Sequence, residues 1–249
     1  MEQQVVIPEK FRGPPTSGNG GYVAGTFASF LTSDGPAEVT LRAPIPLDKP
    51  MSVNPAPTGE GEDMIVIQDG DTLIAEVIPA PLALEVPAPP SREKTLEAAP
   101  RSPALLERDN PIIPGSRGFH PICFCCGADH EDGLRVFAAP IKDSEQVAAV
   151  WQTSEHWGDD QGLLPASWLW TALDCPGQFA WHAAGIVTGM LGRITAEVFR
   201  PAPAGEEYLV TAWPIEVEGK KHFAGSAIFD AGGNLVAQAK SVWIGRRNG

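Results

Sequence analysis

Apolar residues recur at helical spacing along the segment LLPASWLWTALDCPGQFAWHAAG, from Leu163 to Gly185. The apolar positions follow steps of four and three, the period of one buried helical face. These positions are Leu164, Trp168, Ala172 and Cys175. Pro176 removes a backbone hydrogen bond and crowds the turn before it. We therefore expect one mostly apolar helix with a kink or an end between Asp174 and Gly177.

A second apolar segment, Tyr22 to Leu31, consists largely of small residues and predicts another helix. Good N-caps precede it. They are Thr16, Ser17 and Asn19. Gly20 and Gly21 occupy the positions of its first free N–H groups, and a helix start with bare glycines is an open donor site for an oxyanion. The alternative is a tight turn before a closely packed helix.

Alternating apolar and polar positions predict ten strands around these two helices. They are Val5–Phe11, Ala37–Leu47, Met64–Gln68, Thr72–Ile78, Leu134–Ile141, Gln146–Gln152, Arg193–Phe199, Glu207–Val217, His222–Phe229 and Leu235–Ile244. Hairpin turns are predicted at 69–71 and 230–233. Proline, alanine and charged residues dominate 87–118, which predicts a linker with a short helix around Ala104–Arg108.

The two halves of the chain repeat one order of landmarks. Ala37-Glu38-Val39 follows the first helix, Ala196-Glu197-Val198 follows the second, and a similar strand closes each half. We therefore predict a duplicated unit, a helix followed by an antiparallel meander, with units at 1–86 and 119–249 and a linker at 87–118. All seven tryptophans lie in the second half, as does the helical acid, so we expect a single composite site.

Composition and charge exclude several kinds of partner. The net charge of −13 disfavours nucleic acid and anionic lipid, because phosphate-binding surfaces need clustered Lys and Arg. An anionic handle such as coenzyme A would need a local basic spot, although the candidate residues are more often ordinary solvated charges. The candidates are Arg193, Arg200, Lys220 and Lys221. No apolar run spans a bilayer and no signal pattern begins the chain, so we expect a cytoplasmic protein.

Asp174 is the leading catalytic candidate, because a lone carboxylate in apolar surroundings is costly unless it is paired or has a chemical role. It can serve as an acid or base, or it can cap backbone N–H groups at the kink. Desolvation by Trp168, Trp170 and Phe179 is expected to raise its pKa. Thr171 or Ser241 can hold a water beside it.

The four cysteines do not suggest a disulfide framework. Cys123 and Cys126 are two residues apart, and with His120 and His130 they allow a zinc interpretation. Packed thiols are the simpler interpretation, so we predict no metal and no cofactor. Cys175 is expected to be a small buried hydrophobe rather than a nucleophile, since it points about 100° away from Asp174 round the helix.

Three segments resemble the double-hotdog acyl-CoA thioesterases. GNGGYVAGTFASF at 18–30 is similar to the start of the hotdog helix, and FHPICFCCGADHEDGLRV at 119–136 to the leader of the PaaI-like branch. WTALDCPGQF at 170–179 resembles the helical Asp segment. Asn19 replaces the usual histidine before the two glycines, and Ser241 is nearest to the glutamine that some members carry on the last strand.

The resemblance implies an α+β tandem hotdog, with two antiparallel sheets each wrapped round a long helix. It implies thioester hydrolysis of acyl-CoA or an acyl carrier by a water that Asp174 activates. The N–H groups of Gly20, Gly21 and Tyr22, with Asn19, would hold the thioester carbonyl. Substrate contacts are expected from Trp168, Thr171, Phe179, Arg193 and Arg200, and a homodimer is expected.

Two other functions remain open. A hotdog protein can hold an acyl group or assemble a complex without catalysis. A hotdog dehydratase or hydratase needs an Asp–His pair, and the one histidine in step with Asp174 is His182, eight residues on and past Pro176. We rank hydrolysis first and the dehydratase last.

Overall fold

The computed structural model describes residues 3–57, 63–106 and 120–245, and their strands form one 11-stranded antiparallel sheet. The strands are β1 (Gln4–Val6), β2 (Ala37–Leu41), β3 (Pro50–Pro57), β4 (Asp63–Asp69), β5 (Thr72–Pro79), β6 (Ala139–Pro140), β7 (Val147–Gln152), β8 (Thr188–Val198), β9 (Glu207–Glu218), β10 (Lys221–Phe229) and β11 (Leu235–Gly245). The helices are α1 (Gly20–Ala28), α2 (Arg92–Ala98), α3 (Pro103–Leu106), α4 (Ala166–Ala172) and α5 (Cys175–Ala183).

The prediction of two sheets is wrong, because β2 and β8 pair and join the halves. The order across the sheet is β1-β3-β4-β5-β2-β8-β11-β10-β9-β7-β6. Ala37 pairs with Ala196, so the repeated Ala-Glu-Val segments lie side by side. Without this pairing each half would expose an unpaired strand edge, which proteins usually cover. Outward from the join, β2-β5-β4-β3-β1 mirrors β8-β11-β10-β9-β7.

Several strands are shorter than their patterns suggest, because prolines or turns interrupt them. The strand expected over 37–47 ends at Leu41, before Pro44 and Pro46, which cannot donate ladder hydrogen bonds. In the segment expected to form a strand over 134–141, only Ala139–Pro140 pairs, and Arg135 has a positive φ of 57°. At the N-terminus, β1 is followed by a 3-10 turn at Glu9–Phe11. Both predicted hairpin turns are confirmed.

The predicted kink in the second helix is confirmed. α4 ends at Ala172 and α5 begins at Cys175, with Asp174 between them in a non-helical conformation (φ −78°, ψ −83°). Pro176 lies in the first turn of α5, where its missing N–H costs nothing. The helix therefore restarts immediately after the acid.

Close contact between α1 and α4 positions the two halves. A Cβ on Gly21 would lie 2.5 Å from the Trp170 carbonyl oxygen and 2.6 Å from Cβ of Asp174. One turn further along α1, a Cβ on Gly25 would lie 2.7 Å from Cα of Ser167. α1 itself begins at Gly20 and ends at Ala28, three residues before the predicted Leu31. The glycines let the two backbones approach this closely.

Part of the expected linker is helical and packs on the second half of the sheet. Thr95 and Ala98 of α2 are buried, and Ala98 clusters with Ala139, Ile141 and Ala148. The short helix expected around Ala104–Arg108 overlaps α3 over 104–106, and the expected positions 107 and 108 lie outside the described residues. Within the described ranges, no helix is long and apolar enough to cross a membrane.

Candidate functional site

The carboxylate of Asp174 contacts the N-terminal end of α1. Its Oδ2 accepts a hydrogen bond from Nδ2 of Asn19 at 2.9 Å and another from the Gly21 N–H at 3.0 Å. Asp174 belongs to the later half and α1 to the earlier one, so this contact is the juxtaposition that a composite site requires. The acid is only 2% exposed.

Asn19 links the helix end to the acid with both atoms of its side-chain amide. Its Oδ1 accepts from the Tyr22 N–H at 2.9 Å, which makes it the N-cap of α1 as predicted. Its Nδ2 donates to Asp174. An aspartate could cap the helix equally well, but it would bring a second negative charge to Asp174 and could not donate.

The expected oxyanion donors are partly engaged already. The Gly21 N–H is bonded to Asp174 and the Tyr22 N–H to Asn19. Among the described residues, no acceptor is recorded for the Gly20 N–H, and Gly20 is half-buried at the wall of a cavity. Of the three backbone donors expected from the sequence, Gly20 is therefore the one with an unengaged N–H.

Burial raises the pKa of Asp174 to about 7, as the sequence predicted in direction. The hydrogen bond from the Gly21 N–H opposes this shift, the negative charge of Cys123 adds to it, and the amide of Asn19 opposes it. Oδ1 of Asp174 is buried and has no hydrogen-bond partner among the described residues. One oxygen of the acid is thus anchored and the other is unpartnered.

A cavity of about 410 Å³ lies against this acid. Asp174, Asn19 and Gly20 line it together. Apolar side chains from both halves form much of the remaining wall. They include Leu41, Ile45, Met190, Leu191 and Ile244. A mostly apolar cavity with a few polar groups at one place is typical of a site for a small organic ligand.

The other residues proposed from the sequence for holding water or substrate do not line this cavity. Ser241 packs beside α5, where its Oγ donates to the Ala224 carbonyl and accepts from the indole N–H of Trp243. The hydroxyl of Thr171 donates to the Ser167 carbonyl at 2.6 Å. Phe179 is fully buried in the core. Their expected roles in holding water or substrate have no geometric support here.

The remaining expected substrate contacts are also elsewhere. Trp168 lies in an aromatic cluster with Phe124 and Trp157. Arg193 bonds Thr40 and Glu38, and Arg200 faces Asp230 at 3.9 Å. The two arginines thus have partners away from the cavity. They do not form the basic spot that was expected to bind an anionic handle.

Three polar residues of the cavity wall were missed as substrate or water contacts. Gln178 lies one helical turn after Asp174, a spacing visible in the sequence DCPGQ. Arg42 lines the cavity and pairs with Glu76. His120 lines it too, and its Nε2 is buried and has no hydrogen-bond partner within the described residues. No sequence signal placed Arg42 or His120 here, because both come from loops.

Thiols lie next to the acid. Nδ2 of Asn19 also approaches Sγ of Cys123 at 3.7 Å, and this sulfur lies 3.8 Å from Sγ of Cys175. Hydrogen bonds from the thiols of Cys126 and Cys175 hold the pKa of Cys123 well below its ordinary value. Cys175 is buried as expected, but it belongs to this thiol group rather than to a purely apolar surface.

No family model matches the sequence, and a search of curated proteins finds no match to it. Solved structures match the fold over nearly the whole chain. A protein of Novosphingobium aromaticivorans, provisionally named a thioesterase, has a TM-score of 0.61 and 13% identity, covering 98% of this chain and 94% of the other. A protein of Alicyclobacillus acidocaldarius described as having a hot dog fold has a TM-score of 0.60 and 11% identity, covering 99% and 93%.

A shorter match, to a thioesterase superfamily protein, covers 47% of this chain and 57% of the other at 19% identity, with a TM-score of 0.44. The full-length matches show that this chain has the hotdog fold, as the sequence resemblance predicted. At such identities the likeness shows the fold alone, so the reaction has to be argued from the site.

Proposed function

We propose that this chain is a tandem hotdog protein that hydrolyses an acyl thioester in the cavity beside Asp174. The observation that carries the proposal is the contact between Asp174 of the later half and the helix end of the earlier half, at the wall of an apolar cavity. The mirrored strand order on either side of the β2–β8 join supports a tandem arrangement. The thioesterase-like names of structures with this fold agree with the reaction.

The chemistry needs a base, a water and an oxyanion donor. A water beside the unpartnered Oδ1 of Asp174 would pass its proton to the carboxylate while its oxygen attacks the thioester carbon. The Gly20 N–H, at the start of α1, would stabilise the oxyanion. As the tetrahedral intermediate collapses, the carbon–sulfur bond breaks and the thiolate leaves with the proton returned from Asp174. The products are a carboxylic acid and a thiol.

The substrate would enter with its acyl chain against the apolar wall, which Leu191 and Met190 help to form. Its thiol part is coenzyme A or an acyl carrier. Arg42 lines the cavity, and about half of its side chain is exposed, so its guanidinium can contact an anionic group of the substrate. This contact would compete with its ion pair to Glu76 and is therefore expected to be weak.

A second function, acyl binding without catalysis, has its own observation. Both hydrogen bonds to Oδ2 of Asp174 join α1 to the kink, so the acid holds two helices together whether or not it reacts. Acyl-CoA substrates of graded chain length, with release of free thiol as the measurement, separate the two functions. We expect turnover with at least one chain length. Binding in calorimetry without thiol release for any of them would favour the second function.

Gln178 is expected to position the water, which gives a smaller prediction. Its Nε2 donates to the Gly189 carbonyl at 3.0 Å, which orients the side chain on the cavity wall and leaves Oε1 as an acceptor. Gln178→Ala should lower kcat by about 10-fold, the value of one hydrogen bond of ~1.4 kcal/mol. Gln161→Ala, in an exposed loop, is the control. A kcat equal to that of the wild type would remove Gln178 from the mechanism.

The homodimer expected from the resemblance stays a prediction. One chain has a mass of 26.5 kDa. Light scattering with size-exclusion chromatography on the full chain should give twice this mass. A mass of one chain at all protein concentrations used in the assay would contradict it. The proposed site is formed within one chain, so activity should not depend on dilution.

A further inference from the structure

Three cysteines, two from one turn and one from the start of α5, bring their sulfur atoms together beside the cavity. The sulfurs of Cys123, Cys126 and Cys175 all lie within 4.8 Å of one another, and all three residues are buried. We name them the thiol cluster. Among the described residues it is the one group of three or more His, Cys, Asp or Glu side chains with this spacing. His130, considered from the sequence, is elsewhere, with its Nε2 at 2.6 Å from the Lys10 carbonyl.

The backbone around Cys123 holds the cluster in place. The Cys123 N–H donates to the His120 carbonyl and the Gly127 N–H to the Cys123 carbonyl, both at 2.7 Å, which closes a tight turn. A Cβ on Gly127 would lie 2.5 Å from the backbone N and O of Cys123, so a glycine is needed there. The remaining thiol is held independently, since Cys175 begins α5 directly after the kink.

The spacing suits a tetrahedral thiolate site. Zinc binds thiolates at about 2.3 Å, which places two sulfurs of a tetrahedron about 3.8 Å apart. The sulfurs of Cys123 and Cys175 are 3.8 Å apart. All three sulfurs lie within 4.8 Å of one another, so movements of at most about one ångström would bring the other pairs to the same separation.

Two buried polar atoms near the cluster have no hydrogen-bond partner in the described part of the chain. They are Nε2 of His120 and Oδ1 of Asp174, and both residues line the same cavity wall as the three cysteines. Buried polar atoms without partners are uncommon, and an ion or a water is a frequent reason for them. Both residues are more than nine-tenths buried. They give the cluster a polar side that faces the cavity.

We propose that Cys123, Cys126 and Cys175 bind one zinc ion, with its fourth coordination position open to the cavity. This departs from the sequence-based expectation of no metal. Three soft thiolates favour zinc over magnesium or calcium, and three protein ligands with one open position distinguish a reactive zinc site from a closed structural one. The inference does not rest on the proposed hydrolysis, because metal binding is measured without substrate.

Metal content of the purified full chain tests the proposal directly. Elemental analysis after purification without chelator should give one zinc per chain. Co²⁺ added to chelator-treated protein should produce the thiolate charge-transfer bands and intense visible bands of a tetrahedral cobalt site. A zinc content well below one per chain after incubation with Zn²⁺, together with no charge-transfer bands with Co²⁺, would overturn the proposal and leave three packed thiols.

The fourth cysteine provides a matched control. Cys125 is also buried and lies within the same turn; its thiol hydrogen-bonds that of Cys175, but its sulfur is not one of the three that all lie within 4.8 Å of one another. Cys175→Ser should lose the zinc and the cobalt bands, whereas Cys125→Ser should keep both. Equal loss in both variants, with circular dichroism of the wild type retained, would show that the assignment of ligands is wrong. If Cys175→Ser does not fold, the metal content of the wild type and of Cys125→Ser still decides.

Discussion

Asp174→Asn is expected to lower thioester hydrolysis severely while the fold is retained. Asparagine keeps the shape of the side chain, and its Oδ1 can accept the same two hydrogen bonds from Asn19 and the Gly21 N–H. It cannot accept a proton from water at neutral pH. Removal of a general base lowers the rate by about 10²–10⁴-fold, and we expect a fall in kcat/KM of this size. Thiol release from the best acyl-CoA substrate is the measurement.

The same substitution should not reduce stability. Burial disfavours the ionised carboxylate and raises the pKa of Asp174 to about 7, so above this pH a neutral amide should raise the free energy of unfolding by about 1 kcal/mol or more. Denaturant unfolding of the wild type and the variant measures this. Asp160→Asn, which changes an exposed acid, is the control for both experiments. Full turnover in Asp174→Asn would place the base elsewhere, and a marked loss of stability would favour the purely structural role.

The helices and most strands could be predicted from the sequence because local periodicity and turn residues determine them. The break at Asp174 followed from Pro176, and the cap at Asn19 followed from its side chain. The joining of the halves into one sheet could not be predicted, since the pairing of Ala37 with Ala196 depends on which strand edges meet. A local pattern specifies a strand but not its neighbour.

The candidate site was predictable only where one helix carries it. Asp174 and its contact with the start of α1 followed from an acid in an apolar helix and two bare glycines. Phe179, chosen as an aromatic neighbour of Asp174, is buried in the core, and Arg193, chosen as a basic residue for an anionic handle, pairs with Glu38. Arg42 and His120 reach the cavity from loops whose course depends on the whole fold. The sequence therefore did not predict which residues from distant segments the fold brings to the cavity.

Gly21→Ala is expected to damage both stability and activity. The added methyl group would lie 2.5 Å from the Trp170 carbonyl oxygen, 2.6 Å from Cβ of Asp174 and 2.9 Å from Cα of Thr171. Two of these atoms are backbone, so α1 and α4 must move apart. Alanine has a higher helix propensity than glycine by up to ~1 kcal/mol. Overpacking typically costs ~1–3 kcal/mol, and three simultaneous overlaps place the cost here at the upper end of that range. The free energy of unfolding should therefore fall.

The movement would also separate Asp174, proposed to activate the water, from the Gly20 N–H, proposed to stabilise the oxyanion. A displacement of about 1 Å can cost 10²-fold in rate, so we expect kcat to fall by about this factor. Gly25→Ala is the matched control, because its methyl group would press on Ser167 and Trp170 one turn away from the acid. It should lower the free energy of unfolding similarly and reduce kcat much less. Equal losses of kcat in the two variants would mean that helix separation in general, rather than the contact of Asp174 with the end of α1, controls the activity.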